Sequence, residues 1–115
     1  MPGISIHAID VTRAVPATGM RIELWRADEG NDSLVVDTEI DQTGNLTAPV
    51  ESAPQGLYRA VFHIGDYYRG QNIAVPSPAF LERAPFGFGI ADAKQHYHLP
   101  LKFTPWGFSL FRGGA

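Results

Sequence analysis

The chain has 115 residues and no cysteine, enough for one self-supporting domain over residues 1–115, and without disulfides, thiolate catalysis or thiolate metal sites. Twelve acidic against nine basic residues give a formal charge of −3 at pH 7, and because Lys and Arg are scattered there is no basic footprint for nucleic acid. No stretch approaches the ~20 apolar residues that span a bilayer, Met1 to His7 lacks a basic-then-apolar leader, and the ending Gly113-Gly114-Ala115 is not a Ser-Lys-Leu address. The expectation is a cytoplasmic protein with neither nucleic-acid nor membrane partners.

The first element is a strand. Ile4-Ser5-Ile6-His7-Ala8-Ile9 alternates so that Ile4, Ile6 and Ala8 share one face and Ser5, His7 and Ile9 the other. Asp10 after it reads as a residue that satisfies turn amides. Arg21 to Arg26 alternates in the same way, and a polar loop over Asp28 to Asp32 leads to a strand at Ser33 to Ile40. Asp41-Gln42-Thr43-Gly44-Asn45 is a turn in which Gly44 and Asn45 both tolerate positive φ. Leu57 to His63 is a further strand, followed by one short helix over Gly65 to Gln71, capped by Asp66 and limited by Gly70. Pro76, Pro78 and Pro85 stiffen the next connection. Phe86 to Ile90 and His96 to Phe103 are strands, and the last strand follows a hinge at Thr104-Pro105-Trp106-Gly107. In the penultimate strand His98, Pro100, Lys102 and Thr104 share a face. Trp106, Phe108, Tyr67 and Tyr68 read as packing residues. Short strands at regular spacing with one helix predict an all-β antiparallel sandwich of seven to eight strands.

Three blocks carry a likeness to a known family. They are His7-Ala8-Ile9-Asp10 with the following turn and Pro16-Ala17, Tyr58 to Tyr68, and Tyr97 to Gly114. The last resembles a YHVPLLLSPYGYSTYRGS-like run and the first an HVLD run, both of the transthyretin-like family and specifically its 5-hydroxyisourate hydrolase branch. The resemblance implies the transthyretin-like sandwich and a homotetramer, a dimer of dimers with sites between subunits. It also implies a hydrolase that opens a cyclic amide or ureide ring.

Carried over residue by residue, the branch's two catalytic histidines are His7 and His98. Its other functional groups are altered: Asn45 stands at the arginine position, Phe111 at the tyrosine, Gly114 at the terminal serine and Lys102 at an aliphatic residue, while Arg112 and Gly113 are retained. The resemblance therefore implies His98 as the general base, an imidazole being able to take a proton from water near neutral pH. His7 would hold the water or shuttle a proton to the leaving nitrogen. Lys102 with Asn45 would stabilise oxygen charge in place of the arginine, and Ser109, Phe111, Arg112, Gly113 and Gly114 would line the substrate. His96, His98 and His7 could offer imidazoles to zinc or copper, but no nearby carboxylate completes a set, so neither metal nor cofactor is expected. Loss of the guanidinium suits a less anionic ring, such as an N-methylated hydroxyisourate. The alternative is a non-catalytic carrier of small aromatic molecules. In vertebrate transthyretin the two histidine positions hold lysine and threonine, so the paired histidines favour the enzyme.

Overall fold

The computed structural model describes residues 2–28 and 30–114. In chain order the elements are β1 (Gly3–Asp10), β2 (Val15–Pro16), β3 (Arg21–Asp28), β4 (Asn31–Glu39), β5 (Gly56–Phe62), α1 (Ile64–Gly70), β6 (Ala84–Ile90), β7 (His96–Thr104) and β8 (Gly107–Leu110). They form two four-stranded sheets, β2-β1-β7-β8 and β4-β3-β5-β6. The inner faces supply the core predicted by alternation: Ile4, Ile6, Ala8, Leu99, Leu101 and Phe103 from one sheet, Ile22, Leu24, Ala60 and Phe62 from the other, all buried. Each large apolar side chain so buried stabilises the sandwich by about 1.5–3 kcal/mol before entropy is counted.

The transthyretin-like sandwich stands as expected, with eight strands and the helix between the fifth and sixth. Pairing is antiparallel except between β1 and β7, which run parallel with Ser5 opposite His98, His7 opposite Pro100 and Ile9 opposite Lys102. That register sets the site, because it lays the outer-facing residues of two distant segments side by side. Only the Ile9–Asp10 end of β1 pairs with β2. The remaining edge donates two bonds to the connection between β4 and β5, Ile4 N–H to the Val50 carbonyl and Ala8 N–H to the Gly44 carbonyl, both 2.9 Å.

Several local expectations are corrected. The polar Asp28 to Asp32 segment is mostly strand: β3 runs to Asp28 and β4 starts at Asn31, with Asp28 paired to Arg26 and Asp32 to Arg59. Asp66 does not cap the helix. The N-cap is His63, which makes no side-chain cap bond, and Asp66 lies in the first turn, where it suits the helix dipole and pairs with Arg69 at 3.0 Å. Of the turn residues only Gly44 has positive φ, at 91°. Tyr67 and Tyr68 pack against Phe103, whereas Trp106 and Phe108 are exposed. Asp10 does more than satisfy a turn. It is fully buried, accepts the Thr12 N–H, and takes bonds from Tyr67 and Tyr68 hydroxyls and from Arg13, which ties the helix to the end of β1.

Candidate active site

His7 and His98 stand on the outer face of the β2-β1-β7-β8 sheet because both occupy outward positions of alternating strands. His7 donates its Nε2–H to the Thr43 carbonyl at 3.0 Å, which leaves Nδ1 as the acceptor nitrogen. His98 Nδ1 lies 2.7 Å from Ser5 Oγ, which leaves Nε2 toward the face. The same hydroxyl lies 2.7 Å from His96 Nε2, so one serine joins two imidazoles. Burial, and the neighbouring His7 and His96, hold the His98 pKa below that of an ordinary imidazole. The ring therefore stays neutral and able to accept a proton into mildly acidic conditions.

Two glycines close on these rings. A Cβ on Gly44 would lie 2.7 Å from His7 Nε2, and one on Gly113 would lie 2.8 Å from His98 Cδ2. Gly113 reaches His98 because the tail folds back along β7. Continuing the register of Lys102 opposite Ser109 puts Pro100 opposite Phe111, and proline has no N–H to bond there. The ladder accordingly stops at Leu110 and resumes with Gly113 N–H donating to the His98 carbonyl at 2.6 Å.

Asn45 forms an isolated bridge with His7 and donates its Nδ2–H to Thr43 Oγ1 at 2.9 Å, so it lies beside His7. Lys102 is exposed on the same face with no carboxylate partner among the described residues. It stands one outward position beyond Pro100, which is opposite His7. From His98 it is four residues along the strand, about 13 Å. Its ammonium thus belongs to the His7 end of the face. Ser109 is directly opposite Lys102. Phe111 and Gly114 are exposed. Arg112 stacks 4.0 Å over the Tyr97 ring and donates to Gln95 Oε1 and the His96 carbonyl, so it clamps the tail against β7.

A cavity of about 550 Å³ opens between the β1 edge and the 45–51 loop, lined by Ile4, Ile6, Leu46 and Val50 with Ser5, Asn45, Glu51 and His96 among its polar groups. Among the described residues no three His, Cys, Asp or Glu side chains converge as a metal set. Ser5 and Gly44 were not predicted as site residues. Ser5 shares the His7 face by alternation, and the turn glycine precedes Asn45, but only the parallel register shows Ser5 opposite His98.

Residues 4–113 match the family described as HIUase/Transthyretin. The chain belongs to that family. It is 38% identical over 113 residues to 5-hydroxyisourate hydrolase 2 of Rhizobium meliloti (strain 1021), covering 96% of this chain and 94% of the relative. Among solved structures, the 5-hydroxyisourate hydrolase of Klebsiella pneumoniae superposes with a TM-score of 0.80 at 25% identity, covering 99% of this chain and 100% of that one. An (S)-allantoin synthase structure gives a TM-score of 0.89 at 30% identity, covering 97% of this chain but only 43% of that longer protein. This member of the HIUase/Transthyretin family carries two imidazoles, His7 and His98, on the outer face, with asparagine, phenylalanine and glycine at Asn45, Phe111 and Gly114.

Proposed function

We propose that this protein hydrolyses a cyclic ureide, a 5-hydroxyisourate or an N-methylated form of it, by general-base attack of water on a ring carbonyl. That it is a hydrolase of the 5-hydroxyisourate hydrolase kind rests on its relatives. The observation that carries the mechanism is His98, with Nδ1 occupied by Ser5 and with burial keeping the ring neutral. Nε2 takes the proton from water as the hydroxide oxygen bonds to the carbonyl carbon. His7, anchored by Thr43, orients the water or passes a proton to the departing ring nitrogen. Asn45, with Lys102 at the same end of the face, stabilises the oxygen that gains charge.

The substitutions at Asn45, Phe111 and Gly114 remove a guanidinium and two hydroxyls that would otherwise meet ring N–H and carbonyl groups. An N-methylated ring has fewer of those groups to satisfy, which supports the altered substrate. The assembly is a homotetramer, a dimer of dimers, in a cytoplasmic setting. β8 is an open sheet edge, and Trp106, Phe108 and Phe111 beside it are exposed aromatics suited to subunit contact. The test is the loss of ultraviolet absorbance of freshly generated hydroxyisourate and its N-methyl analogues. Acceleration with preference for a methylated ring is expected. Equal or better turnover of the unmethylated ring removes the altered-substrate reading, and stoichiometric binding of an aromatic anion without turnover replaces the enzyme with a carrier.

A further inference from the structure

We propose that Ser5 and His96 form, with His98, a hydrogen-bonded proton relay that sets the tautomer of the base and stores the proton between water attack and ring opening. The proposal rests on the ring-opening reading for its chemistry, but the relay itself stands on geometry. Ser5 Oγ is 2.7 Å from both His96 Nε2 and His98 Nδ1. A hydroxyl has one proton, so it donates to one imidazole and accepts from the other. If His98 donates Nδ1–H to Ser5 and Ser5 donates to His96 Nε2, then His98 Nε2 presents a bare lone pair to the site. The reverse order would put a proton on Nε2 and block it as a base. Ser5 is fixed between the two rings because β1 and β7 pair with Gly3 opposite His96 and Ser5 opposite His98.

The far end of the relay opens on the cavity. Ser5 and His96 line it together with Asn45 and Glu51 among otherwise apolar walls, so a charge that moves to His96 reaches an open cavity with a carboxylate in its wall. The other charged or titratable groups around the relay are His7 on β1, Lys102 on β7 and Arg112 on the returning tail, whose guanidinium donates to the His96 carbonyl. None of them offers a negative charge to His98, so passing the proton to His96 is the way to avoid an imidazolium beside His7.

The steps balance without any further reagent. A water O–H bond breaks as the water oxygen bonds to the ring carbonyl carbon, and that proton goes to His98 Nε2. The His98 Nδ1 proton passes to Ser5 Oγ, and the Ser5 hydroxyl proton passes to His96 Nε2, leaving His96 as imidazolium and His98 neutral. When the ring C–N bond breaks, the nitrogen takes the proton from His98 Nε2. The chain of transfers reverses, His96 returns a proton through Ser5 to His98 Nδ1, and all three groups recover their starting state. Ser5 and His96 are positioning residues here, since both act through His98.

Nitrogen-15 spectra that report which ring nitrogen of each histidine bears the proton test this directly, on wild type, Ser5→Ala, Ser5→Thr and His96→Asn. His98 should carry its proton on Nδ1 in the wild type, shift toward the Nε2–H form in Ser5→Ala, and return to Nδ1–H in Ser5→Thr, which keeps the hydroxyl. On the ring-opening assay Ser5→Ala and His96→Asn should each lower kcat by about 100-fold, the low end for a proton-transfer contribution, with KM little changed. A wild-type His98 protonated on Nε2, or a tautomer unmoved by Ser5→Ala, overturns the relay whatever the activity. A protein with the expected tautomers that opens no cyclic ureide retains the hydrogen-bonded chain and overturns the chemistry.

Discussion

The two outer faces of the sandwich treat charge in opposite ways. On the β4-β3-β5-β6 sheet the strand arginines are matched: Arg21 pairs with Asp37 at 2.8 Å, Arg26 with Asp28 at 3.1 Å and Arg59 with Asp32 at 2.7 Å, the Arg59 guanidinium lies over Trp25, and buried His63 bonds Glu23. On the β2-β1-β7-β8 face His7, His96, His98 and Lys102 have no carboxylate partner among the described residues. Paired charge holds a fold in place, whereas an unpaired cluster of titratable groups costs self-repulsion that a purely structural surface has no reason to retain. The same architecture thus carries one face whose charges are paired and one whose imidazoles and lysine are not, among the described residues.

The sharpest way to break that contrast is to exchange the faces' roles by mutation. His98→Asn should lower kcat about 100- to 10,000-fold, the range of a lost general base, with an unchanged melting temperature. Glu23→Gln on the other face should do the reverse, leaving turnover intact and lowering stability. His63 holds the Glu23 carboxyl below its ordinary range. The native pair therefore stabilises the fold above the unfolded carboxylate pKa, near 4.5, and loses that contribution as pH falls through the lowered folded value. Melting temperatures against pH, wild type beside Glu23→Gln, read the difference.

Lys102→Leu is expected to cost about 100-fold in kcat, the scale of one oxyanion donor; kcat unaffected by this change would remove lysine from the chemistry. Smaller, but more specific, is the pH profile. Because His98 is shifted down by burial first and then by His7 and His96, activity should fall on the acid side only below the ordinary imidazole value. His7→Asn should move the His98 limb upward, since a like-charged neighbour is removed, and NMR titration of His98 in both proteins measures it. At the far end of the scale, the exposed, solvent-screened Arg21–Asp37 pair should contribute little to stability, and Arg21→Ala should leave ring opening unaffected.

The alternation in β1, β3, β5 and β7 was legible because each strand buries one face, and period-two patterning is a local property of the chain. The helix was visible for the same local reason, but its cap was misplaced because Asp66 sits one turn inside the N-cap position held by His63. His7 and His98 were recognisable from family motifs, and Asn45, Lys102 and Gly113 fell near them. What local pattern does not contain is register between strands some 90 residues apart. The parallel β1–β7 pairing brings Ser5 between His96 and His98, and the tail, after a gap in the ladder opposite Pro100, rejoins β7 at His98. Those two long-range facts make a constellation out of residues that the sequence presents as scattered.

The central claim is that the unpaired face performs hydrolysis through His98. The most direct test is the single-turnover rate of hydroxyisourate and N-methylhydroxyisourate ring opening by the wild-type protein and by His98→Asn, with the fold of both verified by thermal melting. The account predicts a rapid wild-type reaction and a loss of at least about 100-fold in a variant that melts normally. A normally folded His98→Asn protein that opens the ring at the wild-type rate would contradict it.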